Sequence, residues 1–337
     1  MTRIIIAGLF ILTLVSCKSS QKNSSDPEAY IYSVHGKMGI ENLGVSLTHE
    51  HVMSRFGLEP AYMAEYDKDS LLMQVVPYLK EVKALGVKTI FDCTTAYFGR
   101  NVSLLREISD SSGVEIITNT GYYAGANDRY VPESAYESSS EEIAQIWIDE
   151  FENGIDETGI RPGFIKLAFD KGASEIDLKL FTAGILTHLS TGLTMVVHTE
   201  NNLQAVGKQL ELLDKHEVSP AAWVWVHASK MDDVDFLVET AMRGGWISLD
   251  KFKADETEEY VSRLTLFREK DLLNKVLLSH DGNSYNRDGN LKGYQAVMTH
   301  LVPALKENAF SEEEINQILV INPQNAFKVG IRRTAEK

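Results

Sequence analysis

The chain has 337 residues, 44% hydrophobic and 24% charged, which suits a globular protein with one large barrel or two ordinary domains. Its 33 basic and 48 acidic side chains leave a formal charge of −15. That balance argues against a nucleic-acid partner, whose phosphates need a basic stripe.

The first segment reads as targeting rather than fold. Met1-Thr2-Arg3 is a short basic start, and the apolar run from Ile4 to Val15 is too short for a membrane span but right for a signal peptide. The run ends in Leu14-Val15-Ser16-Cys17, which resembles a bacterial lipoprotein processing box. Residues 1–17 are therefore expected to be a lipoprotein signal peptide, with Cys17 as the lipid-bearing residue after cleavage. Residues 18–29, rich in Ser, Lys and Asn, read as a flexible polar tether. The expected location is a bacterial cell envelope, periplasmic or surface-facing, with the lipid at Cys17 as the only membrane contact. Cys93 is the other cysteine, so no disulfide framework is available. It lies in an apolar strand and reads as a buried, inert thiol.

From residue 30 onward, short apolar runs alternate with amphipathic helical patterns. Residues 30–46 read as a β-hairpin. Strands are expected at 43–49, 87–94, 114–120, 163–168, 193–198, 221–227, 246–250 and 276–280. Helical patterns follow, as from Asn202 to Lys215 with Leu203, Val206, Leu210 and Leu213 on one face. Gly86, Gly113, Gly192 and Gly245 punctuate the returns to strand. Residues 311–329 read as a closing helix, with Asn322-Pro323 as a turn. Strand–helix alternation implies right-handed crossovers and a parallel sheet. Eight units in about 250–300 residues fit a (β/α)8 TIM barrel, so residues 30–337 read as one barrel domain. An open doubly wound sheet would more often carry a glycine-rich phosphate loop after its first strand, and none is found.

The chemistry gathers at the strand ends. Thr48-His49-Glu50-His51 closes the first strand, and residues i and i+2 of a strand face the same side, so two imidazoles aim at one spot. Later strands end in Lys166, His198, His227 and Asp281. In a barrel these ends converge on the face where active sites sit. Imidazoles and carboxylates are ligands for zinc and its neighbours. Lys166 is costly to bury as a bare cation, whereas a lysine amine carbamylated by carbon dioxide becomes an anionic two-oxygen ligand able to bridge metals. By strand alternation Glu50 and His280 should point away from the centre. His188, His216 and His300 read as surface or cap residues.

Across roughly residues 30–329 the chain resembles the phosphotriesterase-related family of the amidohydrolase superfamily. The resemblance rests on the hairpin, Thr48-His49-Glu50-His51, Phe98-Gly99-Arg100-Asn101-Val102, Gly163-Phe164-Ile165-Lys166, His198-Thr199, His227-Ala228-Ser229, Ser279-His280-Asp281 and the late Asn322-Pro323. It implies two divalent metal ions, zinc by default, with manganese, cobalt, nickel or iron able to occupy the same ligands. His49, His51 and Asp281 would hold the more buried metal, and His198 and His227 the more exposed one. N6-carboxylysine at Lys166 and a hydroxide would bridge the pair. The hydroxide would attack the substrate and Asp281 would accept its proton. The family also implies a homodimer.

Departures from the family bear on substrate. Lys230 stands where organophosphate hydrolases carry a proton-relaying carboxylate, Lys251 follows the strand-7 Asp250, and Ala96 stands where lactonase-type members carry a tyrosine. Lys230, Lys251, Lys253 and Arg287 would place positive charge at the mouth, with Lys230 and Lys251 the favoured contacts for an anionic group and Tyr123 an aromatic pocket wall. The leading expectation is a metal-dependent hydrolase of an ester, lactone or amide of an anionic small molecule. A phosphotriester or phosphodiester hydrolase is the alternative, and a non-catalytic binding lipoprotein the third reading.

Overall fold

The computed structural model describes residues 29–62, 64–170, 172–285 and 291–334. The expected signal peptide, Cys17, nearly all of the tether and Arg287 lie outside the described residues. Among the described residues no helix is long and apolar enough to cross a membrane.

The chain opens with an antiparallel hairpin, β1 (Tyr30–Ser33) and β2 (Gly36–Gly39). Ten further strands are all parallel where they pair: β3 (Ser46–His51), β4 (Thr89–Asp92), β5 (Glu115–Ile117), β6 (Asn119–Thr120), β7 (Phe164–Ala168), β8 (Thr194–His198), β9 (Trp223–Val226), β10 (Trp246–Leu249), β11 (Val276–Leu278) and β12 (Gly282–Asn283). They form two sheets, β6 through β11 and β12-β3-β4-β5. The sheets are one ring. β5 and β6 are halves of a single barrel strand broken at Thr118, and β11 and β12 are halves of another broken between Leu278 and Gly282. At the second break the Asp281 amide donates to the His49 carbonyl at 3.0 Å. Counting each broken pair once gives the eight strands of a (β/α)8 barrel.

Helices α1 (Lys68–Ala84), α2 (Val102–Ser112), α3 (Glu133–Glu137), α4 (Ser140–Asn153), α5 (Glu175–Thr191), α6 (Leu203–Lys215), α7 (Val234–Met242) and α8 (Thr257–Glu269) fill the crossovers. The sequence starts them with side-chain caps. Ser139 and Ser174 form capping boxes with Glu142 and Asp177, and Asn101, Asn202 and Asp233 each accept a first-turn amide. Gly192 ends α5 at φ 77, a left-handed position where glycine carries no steric penalty. The expected closing helix is present as one helical run from Glu312 to Phe327, with a π-turn inside it. A π-turn at Val297–Leu301 leads into α9 (Val302–Glu307), α10 (Glu312–Asn316), a second π-turn at Gln317–Ile321 and α11 (Asn322–Phe327). Asn322-Pro323 thus lies within the helix, directly after the π-turn, rather than in a turn. The Asn322 side chain donates to the Leu273 and Val276 carbonyls.

Alternation along the strands sends Phe91, Cys93, Phe164, Val196, Val224, Val226, Trp246 and Leu277 into one buried cluster with Ile31 of the hairpin and Phe327 of α11. Phe327 packs tilted against Phe91 at 4.2 Å between ring centres and sits 5.9 Å from Phe164. Each such buried ring contributes about 2–3 kcal/mol. The hairpin and α11 therefore plug one end of the barrel and leave the strand C-termini as the open end. Burial raises the Cys93 thiol pKa, consistent with an inert thiol. His188, expected on the surface or at a cap, is instead fully buried in α5, bonded to the Leu193 carbonyl and the Arg332 amide.

Candidate metal centre

His49 and His51 leave β3 on the same face, and their rings stand 5.7 Å apart. His49 Nδ1 lies 2.8 Å from Asp250 Oδ2, so its N–H points at the carboxylate and its Nε2 lone pair faces the site. His51 Nδ1 lies 2.8 Å from the Thr94 hydroxyl, which itself donates to the Met53 carbonyl, so the imidazole is the donor and again presents Nε2. His227 repeats the arrangement, its Nδ1 lying 2.6 Å from the other oxygen of Asp250. The Nε2 atoms of these three rings meet the Asp281 carboxylate, at 3.5 Å for His49, 3.4 Å for His51 and 4.0 Å for His227. His198, at the end of β8, stands perpendicular to His227 with ring centres 4.4 Å apart. His49, His51 and Asp281 form one group able to hold a cation, and His198, His227 and Glu200 another.

Lys166 lies between them. It sits mid-strand in β7, fully buried, with Nζ 3.3 Å from His49 Nε2. Among the described residues no carboxylate pairs with it. A buried amine with this single imidazole contact is an unsatisfied group, and carbamylation would turn it into an anion facing both ligand groups. The donor set, neutral imidazoles plus carboxylates, also fits divalent zinc. The adjoining Gly121 is obligatory, at φ 116 with a Cβ that would fall 2.1 Å from the Lys166 carbonyl oxygen.

Electrostatics favour the ligating forms. Burial, helped by the Lys166 charge, holds His49 down at about 3, so its lone pair is available near neutral pH. Burial likewise pulls His198 well below the ordinary range. For Asp281 burial pushes upward, but the His51 hydrogen bond and the neighbouring imidazoles overcome it and keep the carboxyl well below the usual carboxylate range. Asp250 is held low by His227 and His49 against the same burial effect.

The strand ends carry backbone strain. Glu200, His227, Lys251 and Asp281 have φ of 55, 62, 62 and 53. Left-handed conformations cost a non-glycine residue roughly 1–2 kcal/mol, and such outliers cluster at functional sites. These four follow successive barrel strands at the open end.

The ligand groups floor a cavity of about 460 Å³. Phe56, Phe98 and Tyr123 form an aromatic wall. Tyr123 is stacked on Phe98 at 5.1 Å, and its hydroxyl is 3.3 Å from His198 Nδ1. Lys251, Glu200 and Lys292 make the charged side. Lys251 is paired with Glu200 at 2.6 Å. Lys230 is not in the cavity: a 3-10 turn at Ala228–Lys230 carries it outward to Glu256, 3.6 Å away, and Lys253 joins the same carboxylate at 3.9 Å. Tyr97, beside Ala96, packs on Tyr62 and Tyr122 instead of the site. A larger, more open groove of about 1040 Å³ against α8 holds none of the expected ligands.

Three participants escape a reading of the sequence alone. Asp250 orients two candidate ligands at once, and its only signal is an acid closing an apolar strand. Glu50 does face away, yet it accepts from the Ser279 hydroxyl, the His280 amide and ring, and the Gly282 amide, bracing the broken last strand. Lys292 reaches the Asp281 carbonyl and lies 3.3 Å from its carboxylate, a contact that no local sequence pattern announces.

The phosphotriesterase family model matches residues 30–327. The phosphotriesterase homology protein of Escherichia coli K12 is 28% identical over 86% of this chain and 100% of its own. The aryldialkylphosphatase of Saccharolobus solfataricus is 25% identical over 87% and 98%, and the N-acetyltaurine hydrolase of Xenopus tropicalis is 22% identical over 87% and 96%. With its barrel and its histidine-rich open end, the chain belongs to the phosphotriesterase family of the amidohydrolase superfamily, a family of metal-dependent hydrolases.

Proposed function

We propose that this hydrolase cleaves an ester, lactone or amide bond in a small molecule bearing an anionic group. His49, His51 and Asp281 would hold one metal ion and His198 and His227 a second, with a carboxylated Lys166 as a further ligand. Zinc suits the donor set best. Two bound divalent cations would supply Lewis-acid polarisation of the scissile carbonyl and a water acidic enough to attack at neutral pH.

The protein's own residues do the rest. Asp281, with oxygens toward His49, His51 and His227, stands where it can take the proton of the attacking water. Asp250 keeps His49 and His227 in one tautomer. Phe56, Phe98 and Tyr123 exclude water on one side and bind apolar bulk. The observation that carries the anionic-substrate reading is the pair of lysines, Lys251 and Lys292, lining the same cavity as the ligands. A relative that hydrolyses N-acetyltaurine, an N-acyl compound with an acidic group, supports it. The aryldialkylphosphatase relative supports phosphoester cleavage as the second reading. The chain's first 17 residues support a lipid anchor at Cys17 in a bacterial envelope.

The test is elemental analysis of the full chain with Lys166→Ala in parallel, followed by assay on matched carboxylic and phosphoric esters. Two metals per chain, reduced in the variant, together with faster turnover of carboxylate-bearing esters, is the expected result. A chain that takes up no metal after zinc refilling would overturn it.

A further inference from the structure

The Glu200–Lys251 pair is placed oddly for a structural salt bridge. Both residues close barrel strands in left-handed backbone, both line the cavity, and their side chains are 44% and 23% exposed. Their backbones are pinned. The Trp225 indole N–H donates to the Glu200 carbonyl at 2.8 Å, and the residue before Lys251 has its carbonyl held by Ser229 and Tyr260. Their charged ends reach back toward the imidazoles: Glu200 Oε1 is 4.0 Å from His198 Nε2 and 2.6 Å from Lys251 Nζ. Among the described residues Glu200 is the carboxylate paired with Lys251, and Glu200, His198 and His227 offer ligand atoms all within 4.8 Å of one another. In a tetrahedral zinc site, ligand atoms about 2.1 Å from the ion lie about 3.4 Å apart. A small side-chain rotation therefore brings Glu200 and His198 close enough to share a cation.

We infer that Glu200 is a further protein ligand of the metal held by His198 and His227, exchanging its Lys251 partner for that metal as the site fills. The inference rests on the proposed two-metal reading and adds to it a device for reading substrate. A divalent cation attracts the carboxylate more strongly than the single charge of an ammonium does. Once Glu200 turns to the metal, Lys251 is left without a counterion on the cavity wall. It then becomes the receptor for a substrate carboxylate or sulfonate. Without that metal the lysine is neutralised by its own neighbour. Anion recognition is thus coupled to metal loading through one side-chain rotation.

The coupling predicts that removing Glu200 weakens metal binding and removing Lys251 does not. The full chain is titrated with zinc against a chromophoric chelator, as wild type, Glu200→Gln and Lys251→Met. The cobalt-loaded forms are compared by visible absorption, which reports coordination number. Wild type is expected to take two ions. Glu200→Gln should weaken the second by about 10- to 100-fold and change the cobalt spectrum. Lys251→Met should leave it equal or a few-fold tighter, because the competing ammonium is gone. If Glu200→Gln binds the second ion as wild type does, the inference fails while the two-metal reading stands. If both variants weaken the second ion alike, the pair is only a strut and the inference again fails. If wild type binds no second ion, both fail together.

Discussion

Asp250 serves both halves of the site. One oxygen takes the His49 N–H and the other takes the His227 N–H and the His227 amide, with the Ser248 hydroxyl at 2.9 Å. Its removal should disturb both metals rather than one. Asp250→Asn should lower metal affinity at both positions by about 10- to 100-fold with the fold retained, measured by chelator competition and circular dichroism. Loss confined to one ion would contradict the shared role. At this scale the sequence is read unevenly. His49 and His51 are legible because strand alternation is local. Lys166 is legible because a lysine between Ile165 and Leu167 has no cheap place to go. Lys230 misleads because His227 enters a left-handed turn, and the 3-10 turn that follows carries the Lys230 side chain to Glu256.

Among the elements, the last barrel strand is the weak point, since its ladder is broken between Leu278 and Gly282 at the place where Asp281 must project. Glu50 of β3 compensates by collecting four donors from residues 279–282. Glu50→Ala would strand those buried donors, at about 1–3 kcal/mol for each left unpaired. It should lower the urea midpoint sharply and release metal through Asp281 although Glu50 is no ligand, while Glu50→Gln should be milder. Equal midpoints for Glu50→Ala and wild type would refute the bracing role. The helices are legible because each buries one face, and the strands because burial on both faces makes them short apolar runs. The breaks in the third and eighth strands and the π-turns near the C-terminus are set by long-range partners such as Asn322 with Leu273, which no window of sequence contains.

For the whole molecule, acid sensitivity separates the fold from the metals. His188 lies in α5 and bonds the Arg332 amide of the C-terminal segment. Burial lowers its pKa from 6.5 to about 4. A depressed histidine favours the folded state only when neutral. The unfolded chain binds the extra proton between these values, so stability is full above pH 6.5 and falls as pH drops toward 4. The loss attributable to this group is about 3 kcal/mol. Urea midpoints of metal-free protein should fall across that window, and His188→Gln should be less stable at pH 7 but flatter below it. Parallel curves for the two proteins would assign the acid effect elsewhere. The barrel as a class is legible from eight alternations of strand and helix, because parallel strands and their crossovers leave few topologies. That the hairpin and Phe327 seal the opposite end is not legible, since those segments meet only in three dimensions.

The left-handed residues at positions 200, 227, 251 and 281 also bear on how such an enzyme can be engineered. A search for thermal tolerance that rewards backbone comfort would place glycine at all four. Each change would relax the chain and remove a charged or metal-facing side chain from the reaction chamber. Heat resistance and chemistry therefore compete at these addresses, and stabilising substitutions belong on the helices, away from the rim.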